Sequence, residues 1–110
     1  MLQKKYRLSS PSLFQVVFNQ GDFRENKFFS LVYRKNSLTY PRFGLVISSK
    51  IFRSAVERNA FKRKIHVFLQ GYLPFFKSNF DIVIITKKGV VDKELTEIEE
   101  ALKELLVSLS

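Results

Sequence analysis

The sequence predicts an α+β fold: a single domain of order αβββαβα, in which one mostly antiparallel sheet and packed helices form a two-layer sandwich. Three observations carry that prediction. Phe80 to Thr86, FDIVIIT, is an uninterrupted apolar run of strand length, the kind that fills the interior of a sheet. Ser54 to Gln70 and Asp92 to about Val107 repeat their apolar residues at three-to-four spacing, the period of a helix packed on one side. The chain has 110 residues, 45% of them hydrophobic and twelve of them Phe, enough for one modest core and too few for two.

The elements follow in chain order. Ser10-Pro11 reads as an N-cap followed by proline at the first helical position, with Gly21 as the stop. Between them Leu13, Phe14, Val17 and Phe18 form one apolar face, a pattern that core packing alone explains. Asp22 to Asn26 is a short connector or edge strand. Lys27 to Arg34, KFFSLVYR, is a strand rich in aromatic and branched residues, with Phe29, Leu31 and Tyr33 on one side and Phe28, Ser30 and Val32 on the other. Lys35-Asn36-Ser37 turns the chain, and after Pro41 a further strand runs from Arg42 to Ser49 and delivers Lys50 to the next helix.

That helix is the unusual element. Lys50, Arg53, Arg58, Lys62, Arg63 and Lys64 face a single acid, Glu57, within fifteen residues. Ser54 and Glu57 stand in capping-box relation at its start, Phe61, Ile65, Phe68 and Leu69 form its apolar stripe, and Gly71 is the predicted stop. Cations of one sign packed together lower helix stability unless something anionic answers them. Arg58 falls within the apolar arc, so either the helix starts after Ser54 or the arginine stem lies along apolar surface with its head emerging at the end. Leu73-Pro74 then marks a loop, Lys87, Lys88 and Gly89 close the Phe80 to Thr86 strand, and the last helix opens on acids that suit the positive end of its dipole.

Charge bounds the function. The formal net charge is +9, and residues 91–110 carry −4, which leaves +13 on the first ninety. A surface of that sign attracts polyanions, and the cations are not confined to one helix with a wide apolar face, as binding along a membrane would require. No cysteine is present, which excludes disulfides and thiolate metal sites. The N-terminus has no apolar signal core and no run is long enough to span a bilayer, so a soluble, cytoplasmic protein is expected.

Alanine, valine, a free position and Arg58-Asn59, followed by Lys62-Arg63, give A-V-x-R-N-x-x-K-R, here after a strand ending Ser48-Ser49-Lys50. This resembles the signature of the bacterial ribonuclease P protein subunit. That family writes R-N-R and then K-R-x-x-R; this chain has Ala60 and His66 at the last arginine of each. Phe14, Val17 and Phe18 match the family's F-x-x-V-F, Gly44 matches its F-G, and the L-P-x-G-x-D-I-V lead-in to the apolar strand is met only in part. The resemblance implies a left-handed crossover through the basic helix between two parallel neighbouring strands, against the usual right-handed rule. It implies that Lys50, Arg53, Arg58, Asn59, Lys62, Arg63 and His66 dock on a catalytic RNA. It also implies a cleft between the first helix and the sheet, with Phe14, Phe18, Ser30 and Val32, that takes the 5′ leader of precursor tRNA.

Protein-only nuclease chemistry would need clustered carboxylates for metal or a pair of histidines. The first ninety residues hold only Asp22, Glu25, Glu57 and Asp81, scattered, and His66 is the sole histidine. No catalytic residue and no metal ligand is therefore assigned to the protein. The resemblance implies an endonuclease subunit that assists RNA-catalysed 5′ maturation of tRNA and is inactive alone, with Mg2+ held by the RNA. The partners it implies are ribonuclease P RNA and precursor tRNA, with no membrane and no obligate protein partner. Composition and charge by themselves fit equally well a structural RNA-binding protein of the ribosome-assembly type.

Overall fold

The structure, a computed structural model, describes residues 2–109. It contains α1 (Pro11–Gln20), β1 (Asp22–Glu25), β2 (Phe29–Lys35), β3 (Arg42–Val46), α2 (Ala55–Tyr72), β4 (Phe80–Thr86) and α3 (Leu95–Val107). The four strands form one sheet in the order β1-β2-β4-β3, antiparallel except for the β3–β4 pair, which α2 connects. This is a mixed α+β domain with three helices, as the sequence predicts, and the connector after α1 is an edge strand.

Alternation along the strands assigns two faces. Phe29, Leu31, Phe43, Ile82 and Ile84 pack with Phe61, Ile65, Leu69 and Tyr72 of α2 and with Ile98, Leu102, Leu105 and Leu106 of α3, making the main core. The opposite face carries α1, whose Val17 packs with Leu8, Val32 and Val83 in a smaller cluster. Phe28 joins the main core rather than the Ser30 and Val32 side, because β2 begins only at Phe29 and the alternation does not extend back to it.

Three boundaries differ from the sequence expectation. The strand predicted through Ser49 ends at Val46, since Ser48 already starts a turn: its side-chain oxygen accepts from Lys50 N–H at 3.0 Å and its carbonyl from Ile51 N–H at 3.0 Å. Gly71 does not stop α2, which runs on to Tyr72 and tightens over Leu73–Phe75; Pro74, which lacks an N–H, stands where regular helix gives out. Asp92 does not open α3. It adopts φ 63°, a left-handed conformation that a short polar side chain tolerates, and the helix begins at Leu95.

Candidate nucleic-acid interface

The basic helix is built as its opening residues dictate. Ser54 Oγ accepts the Glu57 N–H at 3.1 Å, and the first turn follows. Lys50 and Arg53 lie exposed in the turn just before it, while Asn59, Lys62, Arg63 and Lys64 are exposed along it. Arg58 resolves its conflict with the apolar arc by folding back: Nη1 donates to the carbonyls of Phe52 at 2.7 Å and Arg53 at 2.9 Å. It ties the entry loop to the helix through two backbone carbonyls. Part of its hydrogen-bonding capacity is thus spent within the protein.

His66 departs furthest from expectation. It is 3% exposed, and its Nδ1 is buried without a hydrogen-bond partner. Burial disfavours the imidazolium, the nearby charges of Lys62 and Arg7 disfavour it further, and the pKa is pushed down to about 4. At neutral pH the ring is uncharged, so the position adds no cation to the helix.

Around His66 the two predicted sets of residues meet. A depression of about 300 Å³ is lined by Phe14, Gly44, Lys62 and His66 together with Arg7 and Ser9. Phe14 reaches this place because residue 44 is glycine: a Cβ there would stand well inside contact with the Phe14 ring. Arg7 is held at the edge of β3 by a parallel bridge to Phe43, with Leu8 N–H on the Phe43 carbonyl at 2.8 Å. Arg7 was not singled out from the sequence; the cluster of cations in its first seven residues was the only signal.

The cleft on the α1 face is legible in the sheet register. Val32 and Val83 lie in one row with Gly44, under α1, and Ser30, Ile85 and Val46 form the next row. Val32 and Ser30 are both buried, each 8% exposed, so Val32 serves packing under Val17 and Ser30 belongs to a floor rather than a projecting wall. Ile85 and Val46 are only half-buried, and Phe18 stands 45% exposed. Phe14 is half-buried. Of the four predicted cleft residues, the two phenylalanines are therefore the ones with surface to offer, and Phe18, Ser30 and Val32 do not share the depression around His66.

The carboxylates are differently placed. Asp81 is buried and takes a two-pronged contact from Arg42, at 2.8 and 2.7 Å, plus Asn36 Nδ2 at 2.9 Å, a pairing that raises the Arg42 pKa. Glu25 pairs with Lys87. Among the described residues no group of three or more His, Cys, Asp or Glu is placed to hold a metal ion, and no helix is long and apolar enough to cross a membrane.

Comparison with known proteins converges on one family. The chain is 36% identical over 105 residues to the ribonuclease P protein component of Escherichia coli, covering 93% of this chain and 85% of the relative. It is 34% identical over 106 residues to that of Streptococcus agalactiae, covering 96% and 94%. The solved RNase P protein from Thermotoga maritima superposes with a TM-score of 0.87 at 28% identity, covering 94% of this chain and 97% of that one. The Staphylococcus aureus RNase P protein gives 0.83 at 25% identity, covering 94% of each. With the family model described as Ribonuclease P matching residues 2–110, the chain belongs to the ribonuclease P protein family.

Proposed function

We propose that this chain, as a ribonuclease P protein component, binds the holoenzyme's catalytic RNA through α2 and its entry turn, and the 5′ leader of precursor tRNA through the cleft beside α1. The reading rests on one arrangement: exposed cations on α2 adjoin a partly open aromatic cleft on the neighbouring sheet face, with Phe14, Lys62 and His66 in a shared depression. Lys50, Arg53, Lys62 and Arg63 meet phosphates, which fixes position without reading sequence. Arg58 contributes chiefly by holding the entry turn, and Asn59 adds a polar contact. Phe18 and the exposed part of Phe14 give single-stranded bases a stacking surface.

Hydrolysis belongs to the RNA and its bound magnesium in this reading. The protein neutralises backbone charge that counterions would otherwise have to screen, so its effect is largest where magnesium is scarce. The test is reconstitution of the full chain with a bacterial ribonuclease P RNA at low magnesium. Faster release of the 5′ leader is expected, with no cleavage by the protein alone. An unchanged rate, or cleavage by RNA-free protein that disappears on mutating Asp22 or Glu25, would overturn the reading.

A further inference from the structure

α1 lies across the sheet and divides its face into two grooves. Phe14 packs on Gly44 of β3, and Val17 on Val83 of β4 and Val32 of β2, so the helix follows one row of the sheet register. The row on one side, Ser30, Ile85 and Val46, floors the cleft already described. The row on the other side is Arg34, Asp81 and Arg42. There a depression of about 480 Å³ opens between this charged row, the turn that follows β2, and the flank of α1 that carries Leu13 and Val16.

Charge in this second groove is not balanced. Among the described residues Asp81 is the one carboxylate that lines it, and both of its oxygens are taken by Arg42, with Asn36 Nδ2 adding a third bond. Arg34, the cross-strand neighbour of Asp81, is left exposed without a hydrogen bond or ion pair among the described residues, and so is Lys35 beside it. Two cations thus stand over one neutralised pair. The donors are also held in place. The two-pronged contact with Asp81 fixes the plane of the Arg42 guanidinium, whose Nη1 has no acceptor among the described residues and whose side chain keeps 23% of its surface open. Asn36 Oδ1 accepts the Leu38 N–H at 2.9 Å, and Asn79 Nδ2 donates to the carbonyls of Asn36 and Leu38 at 3.0 and 2.9 Å, so the turn is fixed as well. A site arranged before its ligand arrives loses little entropy in closing on it.

We propose that this groove is a second seat for RNA, in which Arg42, positioned by Asp81, takes a backbone phosphate and Arg34 and Lys35 close over it. Planar guanidinium donors match phosphate oxygens, and the Leu13 and Val16 flank of α1 gives the attached sugar or base a dry wall. The volume is that of a small-molecule site rather than of a lone ion. The proposal rests on the reading of the chain as an RNA-binding subunit, and it adds a contact that neither α2 nor the leader cleft makes. The ligand is a phosphodiester. Catalytic RNA and precursor tRNA are its two sources.

Arg34→Ala combined with Lys35→Ala tests this in the full chain, since both side chains are exposed. Lys93→Ala combined with Lys103→Ala is the control, which removes equal charge from exposed positions just before and on α3. Affinity for catalytic RNA alone, and of each reconstituted holoenzyme for precursor tRNA, is measured across a salt series. The first variant should bind one of these RNAs several-fold more weakly, with the slope of log affinity against log salt lower by roughly 0.7–0.9 per lost contact, and the control should match the parent. A loss on catalytic RNA assigns the phosphate to it; a loss on precursor tRNA alone assigns it there. Arg42→Lys, which keeps the charge and gives up the fork, should weaken binding of the same RNA, and if it also lowers the unfolding temperature the double variant decides. An unaltered salt series for the double variant overturns the proposal, and so does an equal loss in the control. The reading of the chain would survive either result, because faster leader release at low magnesium tests it separately.

Discussion

Among the described residues, the sheet face under α2 and α3 is closed by eighteen buried apolar residues, whereas the face under α1 has four. The same strands supply both. Val32 and Leu31 are neighbours in β2, and Val83 and Ile84 in β4, so composition does not separate the faces. Coverage does: α1 has 10 residues, about 15 Å at ~1.5 Å per residue, and leaves the row of Ser30, Ile85 and Val46 incompletely roofed. One face holds the fold together, and the other is free to hold something else.

The comparison predicts unequal costs for equal truncations. Ile84→Ala, in the closed face at 0% exposure, should lose about 2–5 kcal/mol in denaturant unfolding. A smaller loss than that for Val32→Ala, made in parallel, would abolish the asymmetry and shift the stabilising role toward α1.

His66 sits where the faces join, and its effect depends on pH. Its folded pKa of about 4 lies below the ordinary value of 6.5, so the unfolded chain binds the proton more readily. The stability its neutral form allows is complete above about pH 6.5 and is lost as pH falls toward 4, at most ~3 kcal/mol across that window. His66→Leu should flatten this part of the profile, measured as the difference in unfolding free energy between the two proteins at each pH. Identical pH profiles would mean that the imidazole is hydrated in solution.

Arg58→Ala and Arg63→Ala separate scaffolding from contact on one helix. The first removes two hydrogen bonds to carbonyls and should cost about 1–2 kcal/mol of stability. The second should stay within about 0.5 kcal/mol of the parent, yet lower the slope of log affinity for RNA against log salt by roughly 0.7–0.9. Equal stability losses in the two variants would refute this division.

Phe18→Ala, on the open face, should cost under about 1 kcal/mol of stability because the ring is 45% exposed. Its effect should appear in binding: precursor tRNA should bind the holoenzyme more weakly by ~1–3 kcal/mol, and mature tRNA, which has no leader, equally well. An unchanged ratio of the two affinities would remove Phe18 from the cleft.

Local signals were readable wherever short-range chemistry decides the structure. The apolar run became β4, Ser54 became the cap of α2, and the Phe14–Phe18 stripe turned one edge to the sheet. What was not readable depends on distant partners. The position of Arg58 in the apolar arc was visible, but the carbonyls that receive it are defined only once the entry turn is folded. His66 lies at the edge of the helical stripe by periodicity, and its burial comes from Phe14, Gly44 and the N-terminal segment, all far away in sequence. Gly71 resembles a stop because a helical pattern does not distinguish a glycine within its last turns from one beyond them.

β4 is the last strand in the chain, yet it lies between β2 and β3. Until it arrives, β3 has no strand to pair with, while β1 and β2 can already form their local hairpin. Long-range insertion of this kind is the slow step of sheet assembly. Only when β4 enters are α1, carried above β2 and β4, and α2, suspended between β3 and β4, fixed relative to each other. A ligand that touches both helices therefore binds only the finished topology and draws the late insertion forward by mass action. On the proposed reading, contacts made together by the catalytic RNA on α2 and the leader beside α1 would favour the sheet only in its completed form.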